Sequence, residues 1–306
     1  MRIVTRRHIK LPSILNLPTS PYDDILTSAG YVSKVILSCS PDEDEDNCRV
    51  LVLRDCGNPL AFCCPGRSKE WTLMLDEQRG KRYYKDCVYS NRLKLFFALT
   101  YSHNETRFET WDLGDLSSPK LIKVDICNYL TSVERFLRYK CEPIEHLVVA
   151  DEDLFLVTQY MIFNVGLDGL CFDHLDERCP DNSRHMTIRF DILKYDSEKG
   201  KFEYVDSSSL GGLAIFVGVL SHPVAIQATD QFPELKPDSI YFTDGFGMGP
   251  LSGDYSHYDE HELRGHDIGI YNYRDKTVSS CYYPCDAPSM KTITPPPIWF
   301  FPSPTI

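Results

Sequence analysis

A pattern of four short strands recurs along the chain with no helical segment between the strands. Residues 34–74 contain VILSC, CRVLVL, LAFCC and EWTLM, and residues 85–125 contain DCVYS, LKLFFAL, RFETWDL and all but the last residue of LIKVDI. The two units have equal length, close to the ~40–45 residues of a four-stranded propeller blade. The repeat therefore favours a β-propeller over other all-β folds.

The pattern continues to the far end of the chain. Residues 146–205 contain HLVVA, DLFLVTQY, RFDILKY and KFEYV, and residues 213–283 contain LAIFVGV, VAIQA, SIYFTD, DIGIYNY and VSSCYY. Most of these segments alternate apolar and polar residues or form short apolar runs rich in Val, Ile, Phe and Tyr. Such units cannot bury both faces alone and must stack around an axis. We expect an all-β propeller with about four to six four-stranded blades.

One short helix is predicted between the second and third units. In the segment 128–139, NYLTSVERFLRY, the residues Leu130, Val133 and Leu137 recur at spacings of three and four. Pro143 prevents the helix from continuing. We place this helix between blades, over an edge or a rim of the propeller.

Composition and charge exclude several classes of protein. Hydrophobic residues make up 42% and aromatic residues 12% of the 306 residues, which predicts a globular core and excludes disorder. The net charge of −12 repels phosphate backbones, so we expect no general nucleic-acid binding, and it favours solubility and basic partners. No stretch approaches the ~18 apolar residues of a membrane-spanning helix, so we expect a soluble chain without a membrane partner.

The cysteines predict a reducing compartment. Twelve cysteines in 306 residues are below the density of small disulfide-rich secreted domains. Several lie inside apolar strands, where a thiol packs as a small hydrophobic group: Cys39, Cys63, Cys87 and Cys281. We therefore expect the protein in the cytoplasm or nucleus.

An organelle is the less favoured alternative for the compartment. Residues 1–22 are basic and contain no acid, as in transit peptides. However, Pro12, Pro18 and Pro21 would interrupt the amphipathic helix that such a peptide needs.

The densest group of potential metal ligands lies in residues 253–267, GDYSHYDEHELRGHD. Its imidazoles and carboxylates are ligand types for zinc or another divalent ion: His257, Asp259, His261, Glu262, His266 and Asp267. Gly253 and Gly265 bracket the segment and it has no apolar stripe, so an exposed loop is the favoured interpretation. An enzyme or metal-dependent binder using this loop remains the alternative function.

No other segment predicts chemistry. The glycines Gly245, Gly247 and Gly249 lack the Lys-Ser/Thr of a phosphate-binding loop, and Cys281 and Cys285 lack a second cysteine pair. We therefore assign no catalytic, cofactor-binding or metal-binding residue, predict no cofactor, and expect a protein that is not an enzyme.

Two further groups of residues have structural and functional interpretations. The acidic run 42–46 predicts a solvated loop tip, with recruitment of a basic partner as the alternative. The tryptophans Trp71, Trp111 and Trp299 predict buried anchors between blades, with an exposed hot spot for at most one of them.

The ordered set of segments resembles the β-propeller domain of plant F-box proteins of the KIB type. The resemblance rests on LAFCCPGRSKEWTLM, YYKDCVYSNRLKLFFAL, RFETWDL, HLVVADEDLFLV, FDILKYD, SLGGLAIFVG, SIYFTD, DIGIYNY and PPPIWF, and it runs from about Leu11 to Trp299. The family segment that corresponds to 209–218 commonly contains Leu-Gly-Asp, whereas this chain keeps the Leu-Gly and has Gly212 in place of the Asp.

This resemblance implies a substrate receptor for ubiquitylation. In typical members an F-box binds the Skp1 subunit of a cullin-based ubiquitin ligase, and the propeller captures the protein target. Residues 1–33 contain no recognisable F-box, so Skp1 and cullin are partners by resemblance only. We expect residues 1–33 to be a lead-in or the first propeller strand, 34–300 to be the KIB-type propeller, and 301–306 to be a tail.

Overall fold

The computed structural model describes fifteen stretches of the chain. They are 10–17, 32–39, 47–54, 59–74, 82–102, 105–115, 118–126, 141–166, 169–171, 184–206, 209–218, 222–243, 267–279, 281 and 299. Their strands form four sheets, and the chain divides into two compact units, Met1–Asn128 and Tyr129–Ile306, with two sheets in each.

The first unit contains two antiparallel four-stranded blades in sequence order. Blade 1 consists of β1 (Val32–Leu37), β2 (Val50–Arg54), β3 (Ala61–Cys63) and β4 (Thr72–Leu73). Blade 2 consists of β5 (Tyr83–Ser90), β6 (Leu95–Ser102), β7 (Glu105–Asp112) and β8 (Lys120–Ile126). A buried apolar cluster joins the two blades; among its members are Leu51, Phe62, Phe96 and Trp111.

Arg49 adds polar contacts between these two blades. Its side chain is buried beside β2, where Nε donates to Leu113 O at 2.9 Å and Nη2 donates to Gly114 O at 2.9 Å, both just after β7. A guanidinium carries five N–H donors, and backbone carbonyls from both blades accept from it, including Cys48 O at 3.1 Å. Arg49 therefore fixes the spacing between blade 1 and blade 2.

The second unit contains one regular blade and one with an added strand. Blade 3 consists of β9 (Glu142–Ala150), β10 (Asp153–Val165), β11 (Arg184–Asp196) and β12 (Lys201–Tyr204). Blade 4 consists of β13 (Leu213–Val217), β14 (Val224–Gln227), β15 (Ser239–Phe242), β16 (Gly269–Asn272) and β17 (Thr277–Ser279), with β14 as the added strand. A buried cluster that includes Phe190, Ile215, Phe242 and Tyr271 packs the two blades together.

Blade 4 departs from the simple antiparallel order of the other blades. Its strand order is β14-β13-β15-β16-β17, and β13 is antiparallel to β14 but parallel to β15. The chain forms the β13–β14 pair and then crosses to the other side of β13. The sequence predicted all five strands but not this order.

The prediction of an all-β propeller built from four-stranded blades is confirmed. The segment 128–139, where a helix is predicted, lies outside the described residues. Within them, the helical structure is a short 3₁₀ helix at Ile14–Asn16. No described helix is long and apolar enough to cross a membrane.

Candidate functional site

Three connections of blade 4 meet at one end of its sheet. The register pairs Leu213 with Gln227, Ser239 with Asn272, and Asn272 with Thr277, so these residues lie at the same end. The adjoining connections are 209–212, 228–238 and 273–276. We call them together the Asp238 end, because the Asp238 side chain lies where they converge.

Asp238 holds the connection before β13 in place. Its Oδ1 accepts hydrogen bonds from Leu210 N at 2.7 Å, Gly212 N at 3.0 Å and Ser209 Oγ at 3.1 Å. Burial alone would raise the pKa of this carboxyl group, but the hydrogen bonds from Gly212, Leu210 and Ser209, with the charge of Arg274, lower it. The carboxylate therefore stays ionised and acts as a fixed acceptor for a tight turn.

The turn has a backbone geometry that suits glycine. Gly211 and Gly212 have φ of +70° and +81°, in the left-handed region where a Cβ atom is strained. The Gln227 Nε2 group donates to Gly211 O at 2.9 Å, and a Cβ added to Gly212 would lie 2.6 Å from that nitrogen. Because the Gln227 side chain occupies this space, a residue larger than glycine does not fit at position 212 without rearrangement.

The β16–β17 turn is attached to both the backbone and the carboxylate of Asp238. Tyr273 N donates to Asp238 O at 2.9 Å, and Arg274 Nη2 lies 3.4 Å from Asp238 Oδ2. The buried Tyr273 donates its hydroxyl to Val205 O at 3.4 Å, and the Lys276 ammonium lies 3.5 Å from the centroid of its ring. These contacts connect 273–276 to Asp238 and Val205, and the Asp238 carboxylate in turn holds 209–212.

The surface of the Asp238 end combines one exposed aromatic ring with charges of both signs. Phe232 is 47% exposed. Its connection is held by backbone hydrogen bonds from Phe232 N to Thr229 O at 2.8 Å and from Leu235 N to Phe232 O at 3.0 Å. Lys236 N also donates to Tyr241 Oη at 2.8 Å, which ties this connection to β15. The exposed charged residues of the three connections are Asp230, Glu234, Lys236, Arg274, Asp275 and Lys276. Such a surface suits docking of a protein.

The histidine-rich loop lies almost entirely outside the described residues. Of 253–267, only Asp267 is described, and its Oδ2 accepts hydrogen bonds from Thr187 N at 2.7 Å and from the Thr187 hydroxyl. The remaining described chain holds no group of three His, Cys, Asp or Glu side chains placed to bind a metal. The glycines 245, 247 and 249, Cys285 and the acidic run 42–46 also lie outside the described residues.

The predicted burial of the tryptophans is confirmed for two of them. Trp111 and Trp71 are 1% and 4% exposed, and Trp71 Nε1 lies 3.2 Å from the carbonyl oxygens of Pro12 and Ser13. Trp299 is partly buried against Phe216 and donates its Nε1–H to Val217 O at 2.9 Å. Trp71 therefore packs against the N-terminal segment, and Trp299 packs on blade 4.

The Asp238 end was not identified from the sequence. Pro237 and Asp238 precede a strand as ordinary turn residues, and the groups that Asp238 holds lie far away in the chain. In the sequence, only the segment 209–218 points to this end. It does so through its resemblance to the family segment and gives no sign that its backbone binds Asp238.

Comparison with known proteins identifies the family. The model of the KIB1-4 beta-propeller family matches residues 1–272, which is most of the chain. No curated protein and no solved structure matches it. The match includes the connections 209–212 and 228–238 of the Asp238 end. The chain belongs to the KIB1-4 β-propeller family.

Proposed function

We propose that this propeller is a non-enzymatic interaction module that captures a protein target, in the manner of a substrate receptor of an SCF-type ubiquitin ligase. The observation that carries the proposal is the Asp238 end, where Phe232 is 47% exposed on the connection that ends at Asp238, the residue that holds the turn 209–212. Loops held on a rigid framework are common binding elements, and an exposed aromatic side chain is a common hot spot.

The chemistry of this end favours a protein partner. An exposed phenyl ring contributes apolar contact area, and the surrounding charges of both signs set the orientation of a partner. Asp230 and Glu234 would face basic groups of the target, whereas Lys236 and Arg274 would face acidic groups. The net charge of −12 opposes a nucleic-acid ligand.

A matched pair of variants tests target capture. Tagged wild-type protein, Phe232→Ser and Leu170→Ser are expressed at equal levels, and bound proteins are quantified by affinity purification with mass spectrometry. Leu170 is a suitable control because it is 59% exposed and lies in the β10–β11 connection. We expect a defined target to be reduced roughly tenfold or more by Phe232→Ser and unchanged by Leu170→Ser.

Candidate targets are then purified and measured for direct binding to the three proteins. Equal affinity of the wild type and Phe232→Ser for every target would rule out the Asp238 end as the capture surface. If Phe232→Ser binds the purified target more weakly than the wild type, by about the same factor as its recovery of that target was reduced, the Asp238 end is supported as the capture surface.

The ligase role has its own assay. The purified chain is mixed with a Skp1 homologue, and association is measured by size-exclusion chromatography and calorimetry. A stable complex, or recovery of Skp1 and cullin with the target, would support a ligase receptor. Target binding without these subunits would restrict the function to an interaction module.

A further inference from the structure

Two cysteines face each other where the β1–β2 pairing continues beyond the strands. The last registered pair is Leu37 with Val50, and Ser38 N donates to Arg49 O at 3.0 Å. The next pair in the same register is Cys39 with Cys48. Both are present as thiols.

The register gives this pair a favourable separation for a disulfide. In antiparallel sheets, hydrogen-bonded pairs alternate with closer pairs whose Cα atoms are ~4.5 Å apart. Ser38 N donates to Arg49 O, while Arg49 N donates to Ser38 Oγ at 2.8 Å. Extension of the register beyond this half-formed hydrogen-bonded pair places Cys39 opposite Cys48 at a closer pair. A disulfide needs Cα atoms about 4.4–6.8 Å apart. The Cys48 thiol donates to Cys39 O at 3.4 Å, which shows that the Cys48 side chain reaches its neighbour.

Other thiols near Cys48 are less well placed. Cys63 pairs with Val50, which puts it diagonal to Cys48 at roughly 7–8 Å. Extension of that register pairs Cys64 with Arg49, and Cys64 Sγ accepts from Arg49 Nη1 at 3.6 Å. Cys64 therefore lies on the face of the sheet opposite to Cys48. Cys39 is the thiol directly across from Cys48.

The two thiols differ in accessibility. Cys48 is fully buried, whereas Cys39 is partly exposed. Burial, and then the neighbouring Cys39 side chain, raise the pKa of Cys48 to about 11. A soluble oxidant therefore meets Cys39 first, and Cys48 supplies the second sulfur.

We propose that Cys39 and Cys48 form a reversible disulfide, so that blade 1 carries a redox modification site. With glutathione disulfide as oxidant, the Cys39 thiolate attacks one glutathione sulfur and releases one glutathione thiolate. The Cys48 sulfur loses its proton to solvent and attacks the Cys39 sulfur, which releases the second glutathione thiolate. Both glutathione thiolates take up the two protons, and the two protein thiols are oxidised by two electrons.

The disulfide would close residues 39–48 into a loop. In the sequence this loop contains the acidic run 42–46. A covalent link at its base restricts the unfolded chain and raises the stability of blade 1. This site is in the first unit and is independent of target capture at the Asp238 end.

The test uses the purified full chain with reduced glutathione or with glutathione disulfide. Peptide mapping without reductant identifies the linked cysteines, and thermal unfolding measures stability. We expect a Cys39–Cys48 peptide lighter by two hydrogen atoms than the two separate thiol peptides, and a melting temperature raised by roughly a few degrees. Dithiothreitol should reverse both changes.

Variants separate this pair from the neighbouring thiols. Cys39→Ser changes a partly exposed side chain, so it should fold, and it should lose the oxidant-induced shift in melting temperature. Cys63→Ser should keep the shift. Raising the pH from 7 to 9 should speed the second step in wild type, because more Cys48 is then ionised. A Cys48–Cys63 link, a persistent glutathione adduct on Cys39, or the same shift in Cys39→Ser would overturn the proposal.

Discussion

The indole N–H of Trp111 donates a hydrogen bond to Glu109 Oε2 at 2.9 Å, and both side chains are 1% exposed. Tyr84 Oη donates to the same carboxylate oxygen at 3.0 Å, and Arg82 Nη1 lies 3.0 Å from Oε1. Burial raises the pKa of Tyr84, and the charge of Glu109 raises it further. A buried carboxylate is tolerated here because a cation and two neutral donors surround it.

Replacing Trp111 with Ala should strongly destabilise blade 2. The substitution removes a fully buried ring from the cluster that contains Phe62 and Phe96, and it removes one donor from Glu109. Loss of a buried Trp costs about 3–5 kcal/mol through lost transfer free energy and the cavity left behind. Urea unfolding followed by circular dichroism should show a lower midpoint.

The Trp111→Phe variant separates the hydrogen bond from the packing. It keeps an aromatic ring but has no N–H for Glu109, so its loss of stability should be smaller than that of Trp111→Ala. An alanine variant with the midpoint of the wild type would contradict the burial of this ring in solution. Trp111 would then become a candidate for a binding role.

Removing the Asp238 carboxylate should loosen the end of blade 4. Asp238→Ala leaves the Leu210 and Gly212 N–H groups without their acceptor and places Ala at a φ of +53°. Because hydrogen bonds to a charged group contribute about 1.5–3 kcal/mol each, we expect a loss of roughly 2–4 kcal/mol in the free energy of unfolding. Chemical unfolding at pH 7 measures this loss.

The Asp238→Asn variant is the matched control for charge. Asn tolerates the left-handed backbone and keeps one carbonyl acceptor, so it should be less destabilised than Asp238→Ala. The pKa of Asp238 is lowered in the folded chain, so its contribution is present above a pH of about 3.9 and falls as the pH drops through the folded value. The difference between wild type and Asp238→Asn should therefore shrink in acid. A constant difference from pH 7 to pH 3 would refute this account of the carboxylate.

The strands could be predicted because their patterns are local. In RFETWDL, Phe108 begins an alternation that marks a strand, and β7 covers Glu105–Asp112. Glu109 lies two residues before Trp111, on the same face of β7, and it is buried with Trp111, while Phe108 is buried on the opposite face. Both faces of this strand are covered, and Arg82, the partner of Glu109, lies immediately before β5. Local pattern does not reveal such a distant partner.

The order of strands in blade 4 could not be predicted for a related reason. Each of the five strands has its own apolar run, but the parallel pairing of β13 with β15 joins strands that are separated in the chain by β14. The Asp238 turn likewise joins groups that are 26 to 29 residues apart. Sequence proximity, which reveals turns and caps, gives no indication of these contacts.

Two adjacent glycines provide a test of the turn before β13. Gly211→Ala should cost about 1 kcal/mol or slightly more, because its φ is +70° but nothing lies within 4 Å of an added Cβ. Gly212→Ala should cost more, because it adds a contact of 2.6 Å with Gln227 Nε2 to a similar backbone strain. Urea unfolding of both variants gives their free energies of unfolding, and the difference between the two losses measures the cost of that contact.

The Gln227→Ala substitution supplies the control for this pair. In that background the Gly212→Ala penalty should fall toward the Gly211→Ala penalty, since the side chain that meets the new Cβ is gone. Equal penalties for the two glycine variants in the wild-type background would show that Gln227 moves aside without cost. An Asp at position 212, as in the common family pattern, should then also be accommodated.

Tyr273 should make the protein less stable in alkali. Burial, followed by the charge of Asp191, raises the pKa of Tyr273 to about 12 from its ordinary value of 10.0. Below pH 10 the tyrosine keeps its proton in the folded and the unfolded chain, so its full contribution to the free energy of unfolding is present. Above pH 10 the unfolded chain loses the proton first, and the free energy of unfolding falls by up to about 1.4 kcal/mol per pH unit until the folded pKa is reached.

Tyr273→Phe isolates this contribution from other groups that titrate in alkali. The variant keeps the ring beneath Lys276 and loses only the hydroxyl that bonds to Val205 O. Chemical unfolding of both proteins at several values from pH 8 to pH 11 gives the difference in stability. We expect the wild type to lose its advantage, and then to become the less stable protein, as the pH rises past 10. Parallel curves over this range would mean that the hydroxyl reaches water, and that 273–276 is not held against Val205 in solution.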